Sequence, residues 1–130
     1  MRGLNRRVPC GMVLLFEELA ATLLEMPEVV LGRSYGRWCI KLRRNAFIAL
    51  DGDTIAFCVG AHAESLVEQY PSASLWNPRG GRRPKQCWIV LPSERVEPVA
   101  TLGAVAYQCA VEVQIRQDYV RMRDDIHSQS

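Results

Sequence analysis

The stretch Tyr35-Gly36-Arg37-Trp38-Cys39-Ile40-Lys41-Leu42-Arg43-Arg44-Asn45-Ala46-Phe47-Ile48-Ala49-Leu50-Asp51-Gly52-Asp53-Thr54-Ile55-Ala56-Phe57-Cys58-Val59 decides the fold. Its first part alternates with period two, so Gly36, Trp38, Ile40 and Leu42 share one face and Tyr35, Arg37, Cys39, Lys41 and Arg43 the other, as in a strand with an apolar and a basic side. Arg44-Asn45 connects it to Ala46–Leu50, and Asp51-Gly52-Asp53 is a tight turn into Thr54–Val59. The three segments predict an antiparallel meander.

Outward from the meander the pattern is helical. Leu15, Phe16, Leu19, Leu23 and Met26 share one face of a helix that starts near Val13 and stops at Pro27. A second, short helix runs from Ala63 to Tyr70 and is closed by Pro71. Ser74-Leu75-Trp76 is a brief strand, 77–85 a loop of Gly, Pro and Arg, and Gln86–Leu91 a strand ended by Pro92. The last helix, from about Val96 to Arg123, turns Val99, Leu102, Ala106, Cys109 and Val113 inward. The expected class is α+β: two layers, an antiparallel sheet of about five strands with helices on one face, in the order α-β-β-β-α-β-β-α. At 130 residues the chain suits one domain, expected over 12–123, with a loose arm at 1–11 and a polar tail at 124–130.

The formal charge of +2 hides segregation. Nine basic residues, Arg33, Arg37, Lys41, Arg43, Arg44, Arg79, Arg82, Arg83 and Lys85, lie in two acid-free stretches, 33–44 and 79–85. The other 111 residues carry seven basic and fourteen acidic side chains. Concentrated positive charge suits a polyanion, and arginine forks on a glycine hinge can follow a phosphate backbone. The bland reading is a solubilising loop with edge charges that keep strands from aggregating. No helix carries a row of Arg, Asn or Gln fit for a major groove, so any binding would follow shape and charge.

Catalytic chemistry has little support. Cys58 and His62 are the one nearby thiol and imidazole, without a third group to orient the base. Glu64 and Glu68 fit a solvated helix face. Gly80-Gly81 lacks the lysine and hydroxyl of a P-loop, and Asp51-Gly52-Asp53 lacks the further ligands of a calcium loop. The five cysteines are spaced for neither zinc nor a disulfide framework and are expected to be buried in a reducing cytoplasm. Trp38 and Trp88 are expected in the core. No catalytic residue, metal, cofactor or membrane span is expected.

Met26-Pro27-Glu28-Val29, the block Gly36–Leu42 with Ala46–Leu50, the helix closing at Gln69-Tyr70-Pro71, and Cys87-Trp88-Ile89-Val90-Leu91 before a final helix together resemble the MmcQ/YjbR family over roughly residues 13–115. A more distant likeness is to the amino-terminal domain of the TfoX competence regulators. The resemblance implies the fold shared by secretion chaperones and frataxin-like proteins, and DNA binding through paired wing-like hairpins with no catalytic signature. The loop between Trp76 and Trp88 would be the basic wing; Asp51-Gly52-Asp53, with two acids, departs from one. The expected partner is double-stranded DNA, held with low sequence specificity by the nine basic residues. The alternative is a chaperone-like protein-interaction module.

Overall fold

The computed structural model describes residues 11–78, 85–91 and 98–128. The elements are α1 (Gly11–Leu23), β1 (Val29–Ser34), β2 (Arg37–Leu42), β3 (Asn45–Asp51), β4 (Thr54–Cys58), a 3-10 turn (Gly60–His62), α2 (Ala63–Gln69), β5 (Ser74–Trp76), β6 (Lys85–Leu91) and α3 (Val99–Ser128). One antiparallel sheet has the order β1-β2-β3-β4-β6-β5. The fold is α+β, with six strands where about five were expected.

The additional strand is β1. Val29–Ser34 carries no clean alternation, because as an edge strand it buries only Val29 fully. It pairs with β2 from Val29 opposite Leu42 to Ser34 opposite Arg37. The connection is therefore the two residues Tyr35 and Gly36, both with positive φ (52° and 79°), the geometry of a tight hairpin whose twist matches its strands.

Register explains the core. Ile40, Ile48, Phe57 and Ile89 sit opposite one another across four strands, all buried on the face that carries the helices. Against them pack Met12, Phe16, Ala20 and Leu23 of α1, Ala63 and Leu66 of α2, and Val99, Leu102 and Ala106 of α3. Side chains from three helices thus replace water along this face of the sheet, the dominant stabilising term. The other face carries a smaller cluster, Cys39, Ala49, Ala56 and Trp76, and among the described residues no helix covers it.

α3 reaches Ser128, past the expected end at Arg123, and residues 124–128 continue the helix instead of forming a tail. Its 30 residues bury only Val99, Leu102, Gly103 and Ala106. The far half is held at the β2–β3 turn, where Asn45 Nδ2 donates to Gln114 and Gln117 at 3.4 and 3.2 Å and Arg43 Nη1 bonds Asp118 at 2.9 Å. Among the described residues no helix is long and apolar enough to cross a membrane.

Candidate nucleic-acid interface

The β1–β2 hairpin tip is two-sided, because alternate residues point to opposite faces. Arg33 and Trp38 are opposite one another, and the guanidinium lies 4.7 Å from the ring centroid, a cation–π contact. Trp38 is 44% exposed, so the expectation of a core tryptophan is corrected: it sits near the hairpin tip, and among the described residues Arg33 lies over its ring. Between the strands, Tyr35 is 85% exposed.

On the tip's other side Arg37 faces the open sheet. Its Nε lies 3.0 Å from Asp51 Oδ1, and Asp51 Oδ2 accepts the Trp76 indole N–H at 2.9 Å. Burial works to raise the Asp51 carboxyl, but the Trp76 and Arg37 hydrogen bonds and the arginine charge overcome it, and the net shift is downward. The guanidinium also sits 5.7 Å from the Trp76 ring, and Trp76 in turn contacts Trp88, with ring centroids 5.0 Å apart. Trp88 is half-buried, again short of the core position expected. A register shift between Leu75 and Trp76 carries Trp76 across the open face. A cavity of about 250 Å³ results, with Tyr35, Arg37, Cys39, Trp76, Pro78 and Trp88 in its wall.

Lys41 lies flat over Gly32, where an added Cβ would stand 3.3 Å from its Cε, and its Nζ donates to the Arg33 carbonyl at 3.1 Å. It therefore adds its charge to the Arg33 end of the hairpin. Arg33, Arg37 and Lys41 thus share the β1–β2 hairpin, with Arg33 over Trp38 on one face and Arg37 and Lys41 on the other.

Arg43 and Arg44 are not part of this group. They form the β2–β3 turn at the far end of β2, about 20 Å from Arg37 at 3.3 Å per residue. Arg43 has φ 55°, which swings its side chain off the basic strand face. It bonds Glu28 (Nε–Oε2 2.6 Å, Nη2–Oε1 3.3 Å) and Asp118 (Nη1–Oδ1 2.9 Å). These bonds raise the Arg43 pKa, the Glu28 hydrogen bond most, and the Arg43 hydrogen bond holds Asp118 below the usual carboxylate range. Two carboxylates share this guanidinium and offset its charge. Arg44 is exposed beside Arg121. Arg79, Arg82 and Arg83 lie outside the described residues; Pro78, where their loop begins, shares the cavity wall with Tyr35.

The thiols differ from expectation too. Cys39 is buried, Cys58 and Cys109 are half-buried, and Cys87 is exposed because its position near the start of β6 leaves one side uncovered. Burial pushes the Cys39 thiol up against the pull of Lys41 and Arg37, and burial with Glu112 pushes Cys109 up. Both shifts oppose thiolate formation. His62, Cys109 and Glu112 line a groove between α2 and α3, apart from the hairpin tip.

Sequence reading named Arg33, Arg37 and Lys41 and put Tyr35 on the basic strand face, but it put Trp38 in the core and gave Trp76 no role. The available signal was Tyr35-Gly36 ahead of the alternating run of β2, a hairpin dipeptide disguised by an aromatic at a position that favours Asn or Asp. Compared with known proteins, the chain matches no family model, no curated protein and no solved structure.

Proposed function

We propose that the chain is a YjbR-like protein that binds DNA with low sequence specificity through the β1–β2 hairpin tip, and that it favours single strands over duplex. The observation that carries this reading is Tyr35. A bulky residue at positive φ costs stability, on the order of 1–3 kcal/mol, and an aromatic that is almost wholly solvated recovers none of it by packing. Function is the physical reason to keep it. Tyr35 and Trp38 offer ring faces on which unstacked bases can lie, and Arg33, Arg37 and Lys41 supply cations for the adjoining phosphates. Arg37 uses Nε for Asp51, and its guanidinium has two further nitrogens. Duplex DNA hides its base faces, which is why it is the weaker ligand. In this reading the tip is the wing.

Titration of a single-stranded thymidine oligonucleotide and a matched duplex at two salt concentrations tests the reading. Each phosphate contact contributes roughly 0.7 to the slope of log affinity against log salt, so three contacts lose about 20-fold between about 50 and 200 mM. Replacing Arg33, Arg37 and Lys41 by alanine flattens that slope. Salt-independent affinity, or a clear preference for duplex, rejects the proposal.

A second reading, a module that contacts another polypeptide, is favoured by a separate observation: the far half of α3 exposes large apolar side chains.

A further inference from the structure

Ile115, Tyr119, Met122 and Ile126 are each between 54% and 63% exposed. Their spacing of four, three and four residues is that of alternating d and a positions of a heptad. At 3.6 residues per turn they form one stripe, turned away from Gln114, Gln117 and Arg121, which border the β2–β3 turn. The stripe therefore points outward from the body of the domain. Glu112 and Gln108 continue the same line toward the amino end and are polar, so the apolar seam begins at Ile115.

The flanks of the stripe select its partner. With Ile115 at d, the e positions are Arg116 and Arg123 and the g positions are Asp118 and Asp125. In a parallel two-stranded coiled coil each g residue meets the e residue five positions later on the other helix. Asp118 then meets Arg123 of the second copy, twice by symmetry. An antiparallel pair instead sets arginine against arginine and aspartate against aspartate. Arg43 and Gln114 both use Asp118 Oδ1, and a carboxylate can take a second arginine on its other oxygen. Arg123 has only a loose 3.8 Å contact with its neighbour Asp124 to give up.

We propose that α3 of one copy pairs in parallel with α3 of a second copy through Ile115, Tyr119, Met122 and Ile126, forming a two-fold symmetric dimer. The seam is short, about 17 Å from Ile115 to Ile126 at 1.5 Å per residue. Because the domain already holds α3 as a helix, dimerisation does not have to supply the cost of nucleating it. The two bodies lie side by side at the amino ends of the paired helices, on the outer flanks of the seam. This inference stands on the second reading above and is independent of nucleic-acid binding.

Sedimentation of the full chain over roughly 1 µM to 1 mM is expected to show a monomer–dimer equilibrium. Met122→Asp should weaken it on the order of tenfold or more while leaving the monomer's thermal melt unchanged, since that side chain touches no core residue. Asp118→Arg and Arg123→Asp should each weaken self-association, and mixing the two variants should restore it as a heterodimer, because both g–e pairs are then opposite in charge. A chain that stays monomeric throughout, a dimer indifferent to Met122→Asp, or a mixture that does not recover overturns the proposal. Since oligonucleotide titrations read a different surface, failure here leaves the hairpin reading untouched.

Discussion

Arg37 and Asp51, fourteen residues apart in the chain, are joined across the first turns of the meander by a 3.0 Å contact from Nε to Oδ1. The same carboxylate accepts the Trp76 indole, so one acid fixes both the arginine of the hairpin tip and the tryptophan that crosses the open sheet face. The acidic turn thus orients side chains from two other strands.

Asp51→Ala should destabilise the fold by about 1–2 kcal/mol, because it removes the acceptor of a largely buried indole together with an ion pair. Asp51→Asn keeps an acceptor for Trp76 and should cost less. The difference is measurable by chemical denaturation.

Acid should undo the same contact. The Asp51 carboxyl is shifted below its ordinary value of 3.8, so its contribution is complete above that value and disappears as pH falls through the lower folded one. In Asp51→Asn the corresponding part of the acid-induced loss of stability should be missing, a comparison that melting curves between pH 2 and 5 would read out at steps of roughly half a unit.

Arg43 clamps α3 to the β2–β3 turn through Asp118. Arg43→Ala should leave global melting nearly unchanged, since exposed ion pairs contribute little. Amide exchange over residues 114–121 should nevertheless accelerate, because that clamp and the Asn45 amide are the tethers of this half of the helix.

In the core, Phe57→Ala should cost about 3–5 kcal/mol, a large share of the stability of a domain this size. Phe57 is fully buried between Ile48 and Ile89 on neighbouring strands, and the cavity cannot be filled by relaxation of one element alone. Equal stability of this variant would contradict the assigned register.

Alternation and proline punctuation made most of the fold legible. Ile40, Leu42, Phe57 and Ile89 follow a period of two because one face of each strand is buried, and that physical cause leaves its trace in the chain. β1 left no such trace: as an edge strand it needs no apolar face, and its Leu31 and Arg33 lie beyond the helices. Charge clustering pointed to Arg33, Arg37 and Lys41, yet composition cannot tell a solvated arginine from one bound twice over, and Arg43 proved to be the latter. Trp38 reads as core because tryptophan usually is; its place near the hairpin tip leaves it exposed.

The most direct test of the hairpin reading is Tyr35→Asn, followed by oligonucleotide titration and thermal melting on the same sample. Asparagine before Gly36 suits the tight turn, so the fold should gain up to about 1 kcal/mol, or roughly 4 °C in Tm. Loss of one stacking platform should at the same time lower affinity for single-stranded thymidine oligonucleotide about tenfold. A variant that is more stable and binds more weakly is the predicted result. Affinity equal to that of the unaltered protein would contradict the assignment of this tip as the binding surface.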